Sequence, residues 1–123
     1  MDPPVVGRIR ERSTFRALRQ PARRASSWPV RAAFVPVAPT GEVAFPQVAY
    51  AIGRRTGNAV VRNRLRRRLR SAVREVAGKT APGAYLIGAE RAGIDVSYQD
   101  LVQAVGQAMG RAGAGRGTNT GTR

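Results

Sequence analysis

Residues 54–74, RRTGNAVVRNRLRRRLRSAVR, hold nine Arg and no acidic residue, and this stretch restricts the fold more than any other part of the chain. At 100° per residue, Val61, Leu65, Leu69, Ala72 and Val76 gather into one narrow stripe, the mark of a helix packed on a core by a single face. Arg64, Arg66, Arg67, Arg70 and Arg74 fan across the opposite side, Asn63 lies with them, and Arg62 and Arg68 flank the stripe. The spacing predicts a helix from Ala59 to Ala77, closed by Gly78 as C-cap.

That outer face breaks the rules of an ordinary solvated helix. Like charges recur at i, i+4 through Arg62, Arg66, Arg70 and Arg74, where Glu would normally alternate with Arg. Each such pair costs roughly 0.2–0.5 kcal/mol. Arg54, Arg55, Arg62 and Arg64 also crowd the N-terminal end, where the helix dipole favours anions. A polyanion removes both conflicts, because backbone N–H groups near Gly57-Asn58 and guanidinium forks together form a phosphate-binding arrangement.

The rest of the composition agrees and excludes much else. The chain has 22 Lys+Arg against 7 Asp+Glu, a net charge of +15, which draws polyanionic partners. Without Cys or His there are no disulfides, no thiolate or imidazole metal sites and no Ser-His or Cys-His nucleophile pairs. Neither a phosphate-loop motif nor a dinucleotide fingerprint occurs. No apolar run approaches the ~20 residues of a membrane span, and Met1–Arg12 lacks the apolar region of a signal peptide, so a soluble cytoplasmic protein is expected.

Along the chain, residues 8–19 read as a short helix opening near Ser13, with Phe15 and Leu18 on one side, and residues 20–29 read as a loop with Trp28 pinned against the body. Val30–Val37 is strand-like, Thr40-Gly41 a turn, and residues 43–53 return as one or two strands interrupted by Pro46. There Val48, Tyr50 and Ile52 form a bulky core face, while Ala49, Ala51 and Gly53 leave a nearly bare one that admits close approach. Ala84–Ala89 suits a buried central strand, and Ser97–Asp100 resembles a capping box that starts a last helix carrying Leu101, Val102, Val105 and Met109. One domain is expected over residues 1–110, followed by a disordered basic tail over 111–123.

Other readings of the charge fit less well. A helix reading DNA bases or lying on a membrane needs mixed polarity or aromatic anchors on its outer face, which here is almost entirely Arg, so backbone recognition of structured RNA fits better. A carboxylate-dependent nuclease would need gathered acids, and the seven here are scattered. A ribosomal or ribosome-assembly protein would share the size and charge, and only the motif at 57–70 argues against it.

That motif, GNAVVRNRLRRRLR, closely resembles the signature of the bacterial ribonuclease P protein component, G-N-A-V-x-R-N-R-x-[KR]-R-x-x-R. The opening R-x-R-x-x-x-x-F at residues 8–15 and the stretch AYLIGAERAG…SYQDL resemble the family's first helix and its last strand and helix, so the likeness spans residues 8–109. It implies an α/β (α+β) two-layer sandwich, ordered α-β-β-(β)-α-β-α, like a ribosomal-protein domain with a left-handed βαβ crossover. It also implies a subunit of an endoribonuclease that removes the 5′ leader of precursor tRNA, in which the RNA subunit catalyses and binds the Mg²⁺. By the same resemblance the protein would supply no catalytic residue and no metal ligand, would be inactive alone, and would be monomeric in a 1:1 complex.

Carried across residue by residue, Arg62, Asn63, Arg64, Arg66, Arg67 and Arg70 would meet ribonuclease P RNA, with Arg54, Arg55 and Asn58 at the helix start. Phe15 matches the family's leader-contacting aromatic, with Phe34 a second stacking residue and Ala51 on the small face of the leader site. The chain departs from the family in having Arg19 where a second aromatic is frequent, and Ala49 and Ala51 where Gly and Ser are usual.

Overall fold

The computed structural model describes residues 6–21, 23–36 and 45–114. Its centre is the strand β5 (Gly83–Ala89), buried on both faces as its uninterrupted small and apolar sequence requires. β4 (Pro46–Tyr50) runs parallel to it on one side and β3 (Val30–Val35) antiparallel on the other. Two short edge strands, β1 (Gly7–Arg8) and β2 (Arg23–Ser27), complete a five-stranded sheet of order β1-β4-β5-β3-β2. The parallel pair β4 and β5 is joined by the long helix α2 (Ala59–Val76), and α3 (Tyr98–Ala114) follows β5.

α2 and α3 cover one face of the sheet and form the main core with it. Leu65, Leu69, Ala72 and Val73 of α2 meet Leu101, Val105, Ala108, Met109 and Ala112 of α3 over Phe34, Tyr85 and Ile87. The buried apolar positions of α3, 101, 104, 105, 108, 109 and 112, recur at helical spacing. Burying each large aliphatic side chain contributes about 1.5–3 kcal/mol. On the opposite face the short helix α1 (Arg12–Ala17) is held by Leu18, which packs with Ile9 on Ala84. Among the described residues no helix is long and apolar enough to cross a membrane.

The expected α+β layering, the long basic helix, the central strand and the final helix are all present. Ser97 caps α3 as expected, its Oγ accepting from the Asp100 N–H at 3.0 Å. Several local expectations are corrected. The loop expected at 20–29 contains β2, a polar edge strand whose pairing with β3 its own sequence does not announce. Trp28 is not pinned: it stands at the tip of the β2–β3 turn, 64% exposed, while Pro29 is buried. α1 begins at Arg12 after Glu11, so Ser13 lies inside the helix and caps nothing. Gly78 is not the C-cap of α2, because Ala77 ends it in right-handed geometry and a 3₁₀ turn, Ala77–Lys79, follows.

The boundary at 110 is also moved. α3 continues to Ala114, Ala112 is buried in the core, and Arg111 Nη1 donates to the Ser26 carbonyl of β2 at 2.9 Å. Residues 111–114 therefore belong to the folded domain. The turn expected at Thr40-Gly41 and the tail beyond 114 lie outside the described residues.

Candidate nucleic-acid interface

The start of α2 is built by its own sequence. A 3₁₀ turn, Arg54–Thr56, leads to Gly57 at φ +152°, a conformation that favours glycine, and a Cβ there would come within 2.8 Å of Val61 Cγ1. Asn58 is then the N-cap, its Oδ1 accepting from the Val61 N–H at 3.0 Å. Its side-chain carbonyl is thus committed to the helix, leaving the amide NH₂ for a partner. Arg62 folds back to donate from Nε to the Gly57 carbonyl at 3.2 Å, and Arg66 Nη1 donates to Asn63 Oδ1 at 3.1 Å. Arg54, Arg55, Arg64 and Arg67 remain exposed around this end, and Val60, 72% exposed, stands among them as an apolar contact that charge patterning did not single out.

One arginine of the helix is structural. Arg68 reaches away to donate to the Gly93 carbonyl at 2.8 Å and the Val96 carbonyl at 2.7 Å, fastening α2 to the segment before α3.

Further along α2, Arg66, Arg70 and Arg74 form one wall of a groove of about 600 Å³. Phe15 of α1 and Arg8 of β1 stand on other sides of it, and Ala49 and Tyr50 of β4 line it between them. Phe15 is 42% exposed, so its ring is available to a ligand. The Arg70 guanidinium lies over the Tyr50 ring, 5.9 Å from its centroid. Burial pushes the Tyr50 phenol above its ordinary pKa, and Arg70 and Arg74 pull it only partly back, so Tyr50 is a neutral aromatic floor beneath a cation. An aromatic ring opposite a row of guanidinium groups suits a single nucleic-acid strand, whose bases stack while its phosphates pair.

The expected site residues therefore divide. Phe15 comes together with Arg66 and Arg70, joined by Arg8, Tyr50 and Arg74, which sequence reasoning had not assigned to the site. Arg54, Arg55, Asn58, Asn63, Arg64 and Arg67 lie on the exposed surface, and Arg62 is half-buried beside them. Ala51 lines a different groove, of about 380 Å³, with Arg24, Arg31 and Gly88. Phe34 is withdrawn from the interface. It has no exposed surface, sits in the main core and packs on Tyr85 with ring centroids 5.0 Å apart, so it has no face to offer a base. Among the described residues no three His, Cys, Asp or Glu side chains gather as a metal site would need.

A basic α+β domain that sets an arginine-rich helix beside an aromatic groove has the features of an RNA-binding protein. The chain belongs to the ribonuclease P family: the family model described as Ribonuclease P matches residues 4–113. It is 36% identical over 107 residues to the ribonuclease P protein component of Symbiobacterium thermophilum, covering 86% of this chain and 90% of that protein. It is 38% identical over 93 residues to that of a Synechococcus strain, covering 74% and 69%. Its fold is similar to that of the solved RNase P protein from Thermotoga maritima, with TM-score 0.71 at 16% identity over 85% of this chain and 96% of that one. The RNase P protein of Staphylococcus aureus gives TM-score 0.69 at 14% identity over 85% and 94%. Membership makes the chain a protein subunit of ribonuclease P, a tRNA-processing ribonucleoprotein nuclease.

Proposed function

We propose that the chain binds the catalytic RNA of ribonuclease P through the exposed start of α2 and the 5′ leader of precursor tRNA through the groove beside Phe15, assisting removal of the leader. The observation that carries this reading is the division of the arginines of α2. Arg66, Arg70 and Arg74 line the groove with an exposed aromatic, while Arg54, Arg55, Arg64 and Arg67 are exposed outside it. One helix thereby offers cations to two RNA segments at once. Bidentate guanidinium groups suit phosphate, and a sequence-tolerant stack on Phe15 contributes roughly 1–3 kcal/mol.

In this reading catalysis belongs to the RNA, whose bound Mg²⁺ ions activate water, and the protein alone is inactive. Neutralising phosphates on both RNAs strengthens substrate binding and lowers the bulk Mg²⁺ the reaction needs. The protein acts in the cytoplasm as one copy per RNA.

The test is cleavage of precursor tRNA by the cognate RNA at low Mg²⁺, with and without the protein, and by the protein alone. Stimulation of the RNA without activity from the protein alone is expected. No stimulation would move the assignment to ribosome assembly, and cleavage without RNA would make the protein itself the nuclease.

A further inference from the structure

One pole of the molecule is bare of the cations that crowd the rest. Residues 92–110 carry no Lys or Arg in a chain with a net charge of +15, and they include two acids, Asp95 and Asp100. They supply the segment before α3 and most of that helix. Asp100, Gln103 and Gln107 stand at i, i+3 and i+7 and so share one exposed face of α3. Glu90 lies at the same pole, its backbone N–H donating to the Pro29 carbonyl at 2.9 Å. Arg68 and Arg111, which flank the pole, have their guanidinium groups held on backbone carbonyls, those of Gly93 and Val96 for the one and of Ser26 for the other.

Beside that face the β2–β3 turn raises Trp28, the only tryptophan of the chain. Its neighbours are fixed while its indole stays uncovered: Ser27 Oγ donates to Gln107 Oε1 at 2.8 Å, and Pro29 is buried. Between Trp28 and α3 lies a pocket of about 260 Å³, with Pro29 and Val96 as apolar walls and Asp100, Gln103 and Gln107 as polar ones. Asp100 uses its backbone N–H on Ser97 Oγ, and among the described residues its carboxylate has no basic partner. The Gln107 amide NH₂ also remains available once its oxygen has accepted from Ser27. The pocket is smaller than the roughly 300–1,000 Å³ of a small-molecule site and suits one long side chain.

The chemistry of the walls selects that side chain. Indole is the aromatic ring that attracts cations best, and a planar guanidinium can stack on it. An unpaired carboxylate alongside binds the same group through two N–H donors, and the apolar walls take its methylene stem. Phosphate is disfavoured by Asp100, and no guanidinium lines the pocket to offset that repulsion. We infer that this pocket is a docking site for an arginine presented by another protein. None of its lining residues belongs to α2 or lines the groove with Phe15, so the partner protein and RNA are bound at the same time by separate surfaces. The fixed mounting of Trp28 keeps the ordering cost of docking small. The subunit thus has one pole for RNA and another through which the ribonucleoprotein attaches to a protein.

Because Trp28 is the only tryptophan, its fluorescence reports on the pocket both in the free chain and in the holoenzyme assembled with ribonuclease P RNA. The titrant is the capped tripeptide Gly-Arg-Gly, compared with Gly-Gln-Gly and Gly-Glu-Gly. A saturable change in Trp28 emission is expected with the arginine peptide alone, in both states. D100N, which removes the charge and keeps the shape, should weaken that binding about fivefold, the upper range for an exposed ion pair. W28A, followed through the side-chain amide resonances of Gln103 and Gln107, should weaken it by about the same factor. The site is overturned by the absence of a saturable response, by equal responses to the three peptides, by wild-type affinity in D100N, or by loss of the response on assembly with RNA. Oligouridylate shifting Trp28 emission in place of the peptide would overturn it in favour of an RNA contact. A shift that follows protein concentration alone would overturn it in favour of a second copy of the chain.

Discussion

Replacing Phe34 by Leu separates a core role from a contact with RNA. Phe34 has no exposed surface and pairs with Tyr85 at 5.0 Å in a tilted arrangement. Losing the ring pair costs about 0.5–1.5 kcal/mol, and a shape change in a packed core up to about 1.5 more. A total near 2 kcal/mol corresponds to a fall in Tm of about 8–16 °C for a domain of this size. Thermal unfolding followed by circular dichroism measures this directly. Precursor binding by the reconstituted holoenzyme, at a temperature where the variant is fully folded, should show the wild-type preference for long leaders. A variant that melts with the wild type yet loses that preference would refute the burial argument and return Phe34 to the leader site.

Among the arginines of α2, Arg67→Ala should weaken RNA binding without lowering Tm, because Arg67 is exposed. Arg68→Ala should lower stability by about 2 kcal/mol in chemical denaturation, since it leaves the Gly93 and Val96 carbonyls without their charged donor. Replacing Arg62, Asn63 and Arg64 together by Ala should weaken binding to ribonuclease P RNA at least about tenfold at moderate salt, read by filter binding; unchanged affinity would rule out docking through this end of the helix. Phe15→Ala should remove the preference for leaders of several nucleotides over very short ones in competition binding, and a retained preference would make Phe15 a packing residue.

The parts of the fold readable from sequence are those whose apolar residues keep a period. α2, β5 and α3 each bury a face that the sequence displays, down to the Ser97 cap. β2 was missed because Arg23–Ser27 is an edge strand with little to bury, and β1 because two residues carry no pattern. Phe34 held a usable signal. In β3 an exposed Arg31 and a buried Val30 fix the alternation, and Phe34 shares the parity of Val30. The resemblance favoured an aromatic at the RNA, and strand parity favoured the core.

For the interface, the motif at 57–70 located the helix and its charged face but not the use of each side chain. Arg62 and Arg66 bond locally, to Gly57 and Asn63, whereas Arg68 bonds to Gly93 and Val96, partners that only the return of the chain in space brings to it. Arg8 entered only as part of the R-x-R-x-x-x-x-F motif and no role was assigned to it, because in a chain so rich in arginine a single one looks like composition. Its place in the groove with Phe15 comes from the pairing of β1 with β4, which sets Arg8 opposite Val48.

The unbroken row of like charges on α2 also sets the circumstances in which the protein is durable. Free in solution, the helix works against its own repulsion, so added salt should stabilise the fold while weakening its hold on RNA. Bound RNA supplies the missing counter-charge, and at a concentration a hundred times its Kd it would stabilise the folded state by about 2.7 kcal/mol. In limited proteolysis the subunit without RNA should therefore be cut faster than the subunit saturated with it.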